Sequence, residues 1–380
     1  MMYQISIKKG DLLKLNIGIL YGGKSVEHEV SILTALQVFK SIDKSKYNVE
    51  LFYISKNNEI IISSDLINIE NYKSNIFKNK AEIFFYQKNN IVYYSEIGKR
   101  IKRPKYIDAF IVCVHGNNVE NGIVSSILEF NNAAYTCSDN TESGIIQDKD
   151  YTKIFLNHYG IKTLDYKVYN SDCLERIDKI KEEIFMPCII KPTRLGSSIG
   201  INIVEDIENF ENGLKTALKF ENKVIIEPLL KDFKEFNCAC FKYHNEYITS
   251  TIEEIKNIHS ILTYEDKYQN KEVKKELPAL INDELTNEIK ELTKRIYILF
   301  NLKGIVRIDY IYKDNALYVN EINNIPGSLG YYLFTKEGIS FTKLIDMQIK
   351  EAIRNKQNRI FNYLEHNEIL NKNNLNNIKK

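Results

Sequence analysis

The sequence predicts an α/β chain that opens with a doubly wound parallel-sheet domain and continues into smaller α+β units. Three observations carry this. Leu15–Tyr21 is an unbroken apolar run that ends at Gly22-Gly23 and gives way to helical periodicity over Ser31–Ile42. Strand, glycine turn and helix in that order begin a parallel α/β unit. The alternation of strand and helix continues to about residue 140, and the pattern changes after Gln147. The 380 residues, 44% hydrophobic and 27% charged, supply enough chain for two or three domains with real cores.

The elements follow in order. Residues 1–13 read as a short lead-in, and Asn48–Ile54 as a second strand. Residues 56–105 are polar and irregular, an expected insertion with one hairpin, Ile83–Tyr86 and Ile91–Tyr94, around Lys88-Asn89-Asn90. Ala109–Val114 is a buried strand that stops at His115-Gly116; a helix over about Gly122–Phe130 and a short strand Ala134–Cys137 follow. These make a first domain over 15–147. A central lobe over 148–235 holds a helix Lys149–Tyr159 and a helix near Ser171–Ile184 between strands Thr163–Val168 and Met186–Lys191. It continues through a glycine-rich Gly196–Gly200 to a strand Val224–Glu227. A last lobe over 236–355 holds antiparallel strands in Phe236–Thr251, a charged mobile loop over 255–280 and a helix Asn282–Phe300. Its hairpin, Ile305–Tyr312 with Leu317–Ile322 over the three-residue loop Asp314-Asn315-Ala316, precedes a final helix within Thr335–Arg354. The Asn/Lys-rich tail, 356–380, frays at its end.

Composition excludes several classes. Lys+Arg 52 against Asp+Glu 50 gives a net charge of +2, which demands no nucleic acid or anionic membrane as partner. No segment supplies the ~18–20 apolar residues of a membrane helix, and the lysine-broken N-terminus is too short in apolar residues for a signal peptide. The six cysteines are scattered, their one close pair is C-x-C, and no histidine sits at zinc-finger spacing. Reduced, buried thiols in a cytoplasmic protein are expected.

Three places carry chemistry. On the last hairpin, Glu321 and Asn323 are two residues apart on a strand and share a face. A two-residue loop would pair Asp309 with Asn320 and turn Glu321 away. A three-residue loop, Asp314-Asn315-Ala316, would pair Asp309 with Glu321 and Arg307 with Asn323. In that register two carboxylates repel unless Arg307 and a hard divalent cation offset them; otherwise these are solvated residues on an exposed sheet face. Lys191-Pro192 leads a strand into Gly196-Ser197-Ser198-Ile199-Gly200, whose small residues let backbone N–H groups approach phosphate. The segment has neither a Walker A spacing nor a clean G-x-G-x-x-G, so a flexible surface turn stands beside the phosphate reading. Third, Tyr21–Ser31, with Glu27, and His115 each follow a parallel strand, the edge where open α/β sheets bind ligands. Helix-dipole stabilisation for Glu27 and a structural role for His115 are the plain alternatives.

Taken together these segments resemble the D-alanine–D-alanine ligase family. Gly22-Gly23-Lys24-Ser25-Val26-Glu27-His28-Glu29-Val30-Ser31 is similar to its first signature, and His115-Gly116 with Glu120-Asn121-Gly122 to its second. Lys191–Gly200 resembles its glycine-rich loop, and Tyr264-Glu265-Asp266-Lys267-Tyr268 its mobile loop. Arg307-Ile308-Asp309 and Asn320–Gly327 resemble its C-terminal metal block. The order and spacing match over about residues 15–353. The resemblance implies an ATP-grasp fold, with the nucleotide between two α+β lobes behind the N-terminal domain. It also implies ATP and Mg²⁺ (or Mn²⁺) as cofactors, D-amino acids as substrates, and a homodimer working in peptidoglycan precursor synthesis.

The resemblance assigns roles by position. Lys149 and Lys191 would bind the ATP phosphates, with Ser198 also binding the nucleotide; Glu227 would be the adenine-side acidic residue, Leu230 a nucleotide contact on the segment linking the lobes, and Glu235 the ribose carboxylate. Asp309, Glu321 and Asn323 would be metal ligands. Arg307 and the N–H of Gly327 would stabilise the tetrahedral oxyanion. Glu27 would hold the first substrate's ammonium, with Ser197 and Tyr268 as partners that close the loop. His115 and Lys267 would face substrate. A tyrosine at 268 favours an amide product over a D-lactate ester. Departures from the family pattern are Val119 and Asn121 around Glu120, Leu195 before Gly196, and one extra residue between Glu227 and Glu235. Tyr332 stands where the family usually places a serine that grips the second substrate's carboxylate. D-Ala-D-Ala is the expected product, with D-Ser or another amine as the alternative second substrate.

Overall fold

The computed structural model describes residues 14–74, 76–101, 104–256 and 274–359. Its first sheet has seven strands: β1 (Leu15–Gly22), β2 (Tyr47–Ile54), β3 (Ile60–Ile62), β4 (Ala81–Lys88), β5 (Ile91–Glu96), β6 (Lys105–Ile107) and β7 (Ala109–Val112). The spatial order is β6-β5-β4-β3-β2-β1-β7. The centre, β2-β1-β7, is parallel as the apolar runs predict, and β1 is crossed over to β2 by the helix His28–Ser41. Residues 56–105 are not a detached insertion. Their strands add four antiparallel members to the same sheet, and Asn89-Asn90, both at positive φ, make the two-residue turn between β4 and β5. The expected strand at 134–137 is reduced to isolated bridges from Tyr135 to Phe110 and from Cys137 to Gly304.

The second sheet holds β8 (Lys167–Asn170), β9 (Cys188–Pro192), β10 (Asn202–Val204) and β11 (Lys223–Pro228), in the order β10-β9-β11-β8. Its core packs Phe210 and Leu214 of the helix Ile207–Leu218 under Ile190, Val224 and Ile226. The third sheet holds β12 (Lys234–Tyr243), β13 (Glu246–Thr249), β14 (Glu253–Lys256), β15 (Lys274–Glu276), β16 (Val306–Lys313) and β17 (Ala316–Asn323). Its main path is β15-β14-β12-β16-β17, backed by the helix Asp283–Leu299. The last helix, Phe341–Asn358, returns to the first domain, where Leu344, Ile345 and Ile349 join the core of the seven-stranded sheet. All six cysteines are free and buried. No helix among the described residues is long and apolar enough to cross a membrane.

The last hairpin corrects one expectation. Its loop is the two-residue Asp314-Asn315, both at positive φ, with Lys313 paired to Ala316. That loop alone would set Asp309 against Asn320. The register instead shifts between Asp309 and Tyr310, skipping Asn320, so Asp309 pairs with Glu321 and Arg307 with Asn323. The carboxylates face each other because of a β-bulge, not a longer loop.

Candidate active site

The three sheets enclose a cleft of about 650 Å³. It is lined by Glu27, His115, Lys149, Lys191, Ser197, Ser198, Leu230, Glu235, Arg307, Asp309, Glu321, Asn323, Gly327 and Tyr332. Glu227 lies just beneath it, buried and bonded to Lys191. Lys267 and Tyr268 lie outside the described residues, as do most of the expected loop over 255–280 and the end of the tail.

The floor is one face of the third sheet. Cross-strand pairing aligns Glu253, Asn237, Asp309 and Glu321 in a row over β14, β12, β16 and β17. The Arg307 guanidinium donates to both Asp309 oxygens at 2.7 and 2.8 Å, and Asn323 Nδ2 donates to Asp309 Oδ2 at 3.0 Å. This fork-to-fork pair is the strong form of a carboxylate–guanidinium contact. Lys149 stands over the Glu321 end, with its ammonium 3.7 Å from Glu321 Oε1 and 2.9 Å from the Leu195 carbonyl oxygen.

At the β9–β11 side Glu227 lies between two ammonium groups, Lys191 at 2.5 Å and Lys153 at 2.7 Å. Burial works to raise the Glu227 pKa, but Lys191 and Lys153 outweigh it and pull the carboxyl down to about 2. Burial lowers the pKa of Lys153, with Glu227 opposing. Leu164, Ile189, Leu229, Leu230, Phe233 and Ile311 line an apolar slot in the same region of the cleft. Such a slot suits a flat heteroaromatic ring.

The glycine-rich turn is fixed by both its neighbours. Asp148, capping the helix Lys149–His158, accepts from Arg194 Nε at 3.2 Å and from Lys223 Nζ at 3.2 Å. Ser197 and Ser198 both sit at positive φ, 53° and 59°, a costly conformation for residues other than glycine. Held so, the Ser197 hydroxyl donates to Glu27 Oε1. Space for that carboxylate depends on two glycines: a Cβ on Gly116 would stand 2.7 Å from Glu27 Oε2, and one on Gly196 2.9 Å from it.

The first domain is stitched to the turn that carries Gly327. Buried Glu120 accepts from the Gly116 N–H and from the Ile325 N–H, each at 2.8 Å. Burial, then the nearby Glu27 charge, raises its pKa to about 8. Thr34 Oγ1 accepts from the Ser328 N–H at 3.0 Å and lies 3.0 Å from His115 Nε2. Burial lowers His115 to about 4, with the Arg307 charge adding, so the imidazole is neutral at pH 7. Thr34 Oγ1 and the neutral imidazole share one hydrogen bond, whose direction the tautomer sets.

Sequence reasoning missed Lys153, Asn237, Glu253, Asn320 and the bridging role of Glu120. Lys153 had a signal: it is four residues after Lys149 in a helix, hence on the same face. Asn237 and Glu253 had none, because their place depends on pairing between strands distant in sequence.

A family model described as D-ala D-ala ligase N-terminus matches residues 16–138, and one described as D-ala D-ala ligase C-terminus matches 155–350. The D-alanine–D-alanine ligase of Thermosipho melanesiensis is 37% identical over 89% of this chain and 94% of its own. Among solved structures, the D-alanine–D-alanine ligase of Helicobacter pylori is 27% identical with a TM-score of 0.73, covering 88% of this chain and 98% of its own. A D-Ala:D-Ser ligase from Enterococcus faecalis is 25% identical with a TM-score of 0.77, covering 89% and 99%. The chain belongs to the D-alanine–D-alanine ligase family.

Proposed function

We propose that this ligase joins two D-alanines at the expense of ATP to give D-Ala-D-Ala for peptidoglycan precursor synthesis. The observation that carries it is one cleft in which Lys149 and Lys191, the Asp309–Glu321 pair and the Glu27–Ser197 pair converge. The γ-phosphoryl group of ATP passes to the carboxylate of the first D-alanine. The amine of the second then attacks the acyl phosphate, expelling phosphate. Such a reaction asks for positioning and charge neutralisation more than covalent help.

In this reading Lys149, Lys191 and Ser198 hold the ATP phosphates. Leu230 belongs to the apolar slot for adenine, Glu227 fixes Lys191 beside it, and Glu235 takes the ribose. Glu27, oriented by Ser197, binds the first ammonium. Arg307 and the Gly327 N–H hold the oxyanion. His115 orients the Gly327 turn through Thr34, and Tyr332 lines the second pocket. Tyr268 and Lys267 keep the substrate-contact roles that the family resemblance assigns them. The donor set fits Mg²⁺ or Mn²⁺: Asp309, Glu321 and Asn323 offer hard oxygens on adjacent strands. Among the described residues no group of three or more His, Cys, Asp or Glu could hold a metal ion by itself. A bound cation would offset charge on the ATP phosphates.

The division at 148 and 236 then separates a substrate domain from two nucleotide-holding lobes, and the enzyme works in the cytoplasm, where ATP is at hand. A homodimer accounts for the exposed stripe Ile123, Ile127 and Phe130, spaced four and three apart on one helix, with Phe130 91% exposed. Phe130→Glu should shift the sedimentation coefficient to that of a monomer. Tyr332 favours one second reading, in which D-Ser takes the place of the second D-alanine. The deciding experiment is phosphate release with ATP, Mg²⁺ and D-Ala as sole amino acid, with mass spectrometry of the product. No release with D-Ala alone, but turnover once D-Ser is added, would replace the first reading by the second.

A further inference from the structure

We propose that Tyr332, locked by Glu253, sets the size of the second amino acid, admitting a methyl or hydroxymethyl side chain and excluding longer ones. The proposal rests on the ligase reading above. The row Glu253–Asn237–Asp309–Glu321 spans four adjacent strands, about 14 Å between its outer Cα atoms. Lys149 stands over the Glu321 end and Tyr332 over the Glu253 end. Arg307 lies between them on the paired strand positions. A carboxyl reacting beside Arg307 therefore has the phosphate lysine on one side and the Tyr332 ring on the other.

That ring is held at its tip, its face and its backbone. The phenol donates to Glu253 Oε2 at 3.2 Å, and Asn237 Nδ2 donates to the same oxygen at 3.1 Å. Glu253 is only 2% exposed and cannot follow the ring outward. The Lys275 ammonium lies 5.7 Å over the ring, Tyr331 meets it edge-on, and Tyr331 in turn stacks on Phe341. Thr335 Oγ1 fixes the Tyr332 carbonyl oxygen at 2.7 Å. Swinging the ring aside would strand a buried carboxylate oxygen with one donor fewer, so a longer side chain meets a wall. With its proton committed to Glu253, the phenol oxygen offers the cleft lone pairs, which suit the hydroxyl of D-Ser as donor.

The test is a competition read as a product ratio, which a change in the folded fraction leaves unaltered. Purified enzyme receives ATP, Mg²⁺, D-Ala and equal D-Ser, D-2-aminobutyrate and D-norvaline, and the dipeptides are quantified by mass spectrometry. The wild type should make D-Ala-D-Ala and D-Ala-D-Ser. Tyr332→Ser should raise the D-norvaline product relative to D-Ala-D-Ala by about tenfold or more per added methylene. Tyr332→Phe keeps the ring but loses its tether and should move the ratio part of the way, while Glu253→Gln keeps an acceptor and should match the wild type. An unchanged ratio in Tyr332→Ser would overturn the proposal, and an unchanged ratio in Tyr332→Phe would remove Glu253 from it. No phosphate release by the wild type with any of these amino acids would refute the ligase reading itself.

Discussion

Replacing Glu227 by Gln should cost about as much stability as any single substitution around the cleft. The carboxylate is 1% exposed and holds two ammonium groups, Lys153 and Lys191, at 2.7 and 2.5 Å. A carboxyl titrating at about 2 rather than 4.5 reflects on the order of 3 kcal/mol in favour of the ionised form in the folded protein. Burial lowers the Lys153 pKa, so keeping that ammonium charged offsets part of the gain. Removing the carboxylate leaves Lys153 charged in a buried place, and loss of one partner of a buried pair costs about 3–5 kcal/mol. We expect a loss near the lower figure, about 3 kcal/mol, seen as a lower urea midpoint at pH 7.

The pH dependence has a definite sign. The folded pKa lies below the unfolded value, so the contribution is complete above about 4.5 and disappears as pH falls through about 2. The wild-type and Glu227→Gln midpoints should therefore converge over that window. Lys153→Met combined with Glu227→Gln should cost less than the sum of the two, since the second change removes the stranded charge. Equal midpoints at pH 7, or a gap that persists unchanged to pH 2, would refute the reasoning. A separate readout is the KM for ATP, which should rise as Lys191 loses its tether.

Glu321→Gln should lower turnover and Mg²⁺ affinity with little change in melting temperature, whereas Asp309→Asn should lower all three, because it also breaks the bidentate Arg307 pair. Thermal melts beside a Mg²⁺ titration of activity separate the two; equal melting temperatures would count against the Arg307 argument. Gly116→Ala should cut kcat/KM for D-Ala by about tenfold or more, since its Cβ would stand 2.7 Å from Glu27 Oε2 at a φ of +82°. Steady-state kinetics at varied D-Ala check it. Glu120, raised to about 8 from 4.5, binds its proton more tightly when folded, so its contribution is complete below about 4.5 and is lost as pH rises through about 8. Glu120→Gln should flatten stability over that window in urea titrations from pH 4.5 to 8.

Local signals were legible. The apolar run of β1, its glycine turn and the following helix are each decided within a few residues; the strand and turn stand where the pattern puts them, and the helix begins earlier than its periodicity indicates, at His28. Pairings between distant segments were not. Ile60–Ile62 is a three-residue strand that carries no alternation to read, yet it joins β2 to β4 and turns an apparent insertion into sheet. The same limit divides the site. Glu27, Lys191 and Asp309 lie on or just past strands whose ends are visible in the sequence. Glu253 gains its meaning only from β12, which sets Asn237 between it and Asp309.

The hairpin shows why a right answer came from a wrong turn. Strict alternation sends Asn320 and Glu321 to opposite faces, and a two-residue loop would then bring Asn320, not Glu321, opposite Asp309. A bulge sets two residues against one and lets neighbouring side chains lean to the same side. Asn320, Glu321, Ile322 and Asn323 all line the cleft. The irregularity brings the Glu321 carboxylate, rather than the Asn320 amide, opposite Asp309, where charge must be gathered. Periodicity fails here for the same reason the site exists: a row of like-charged groups on one face is what a purely stabilising pattern would avoid, and a phosphate–metal site requires it.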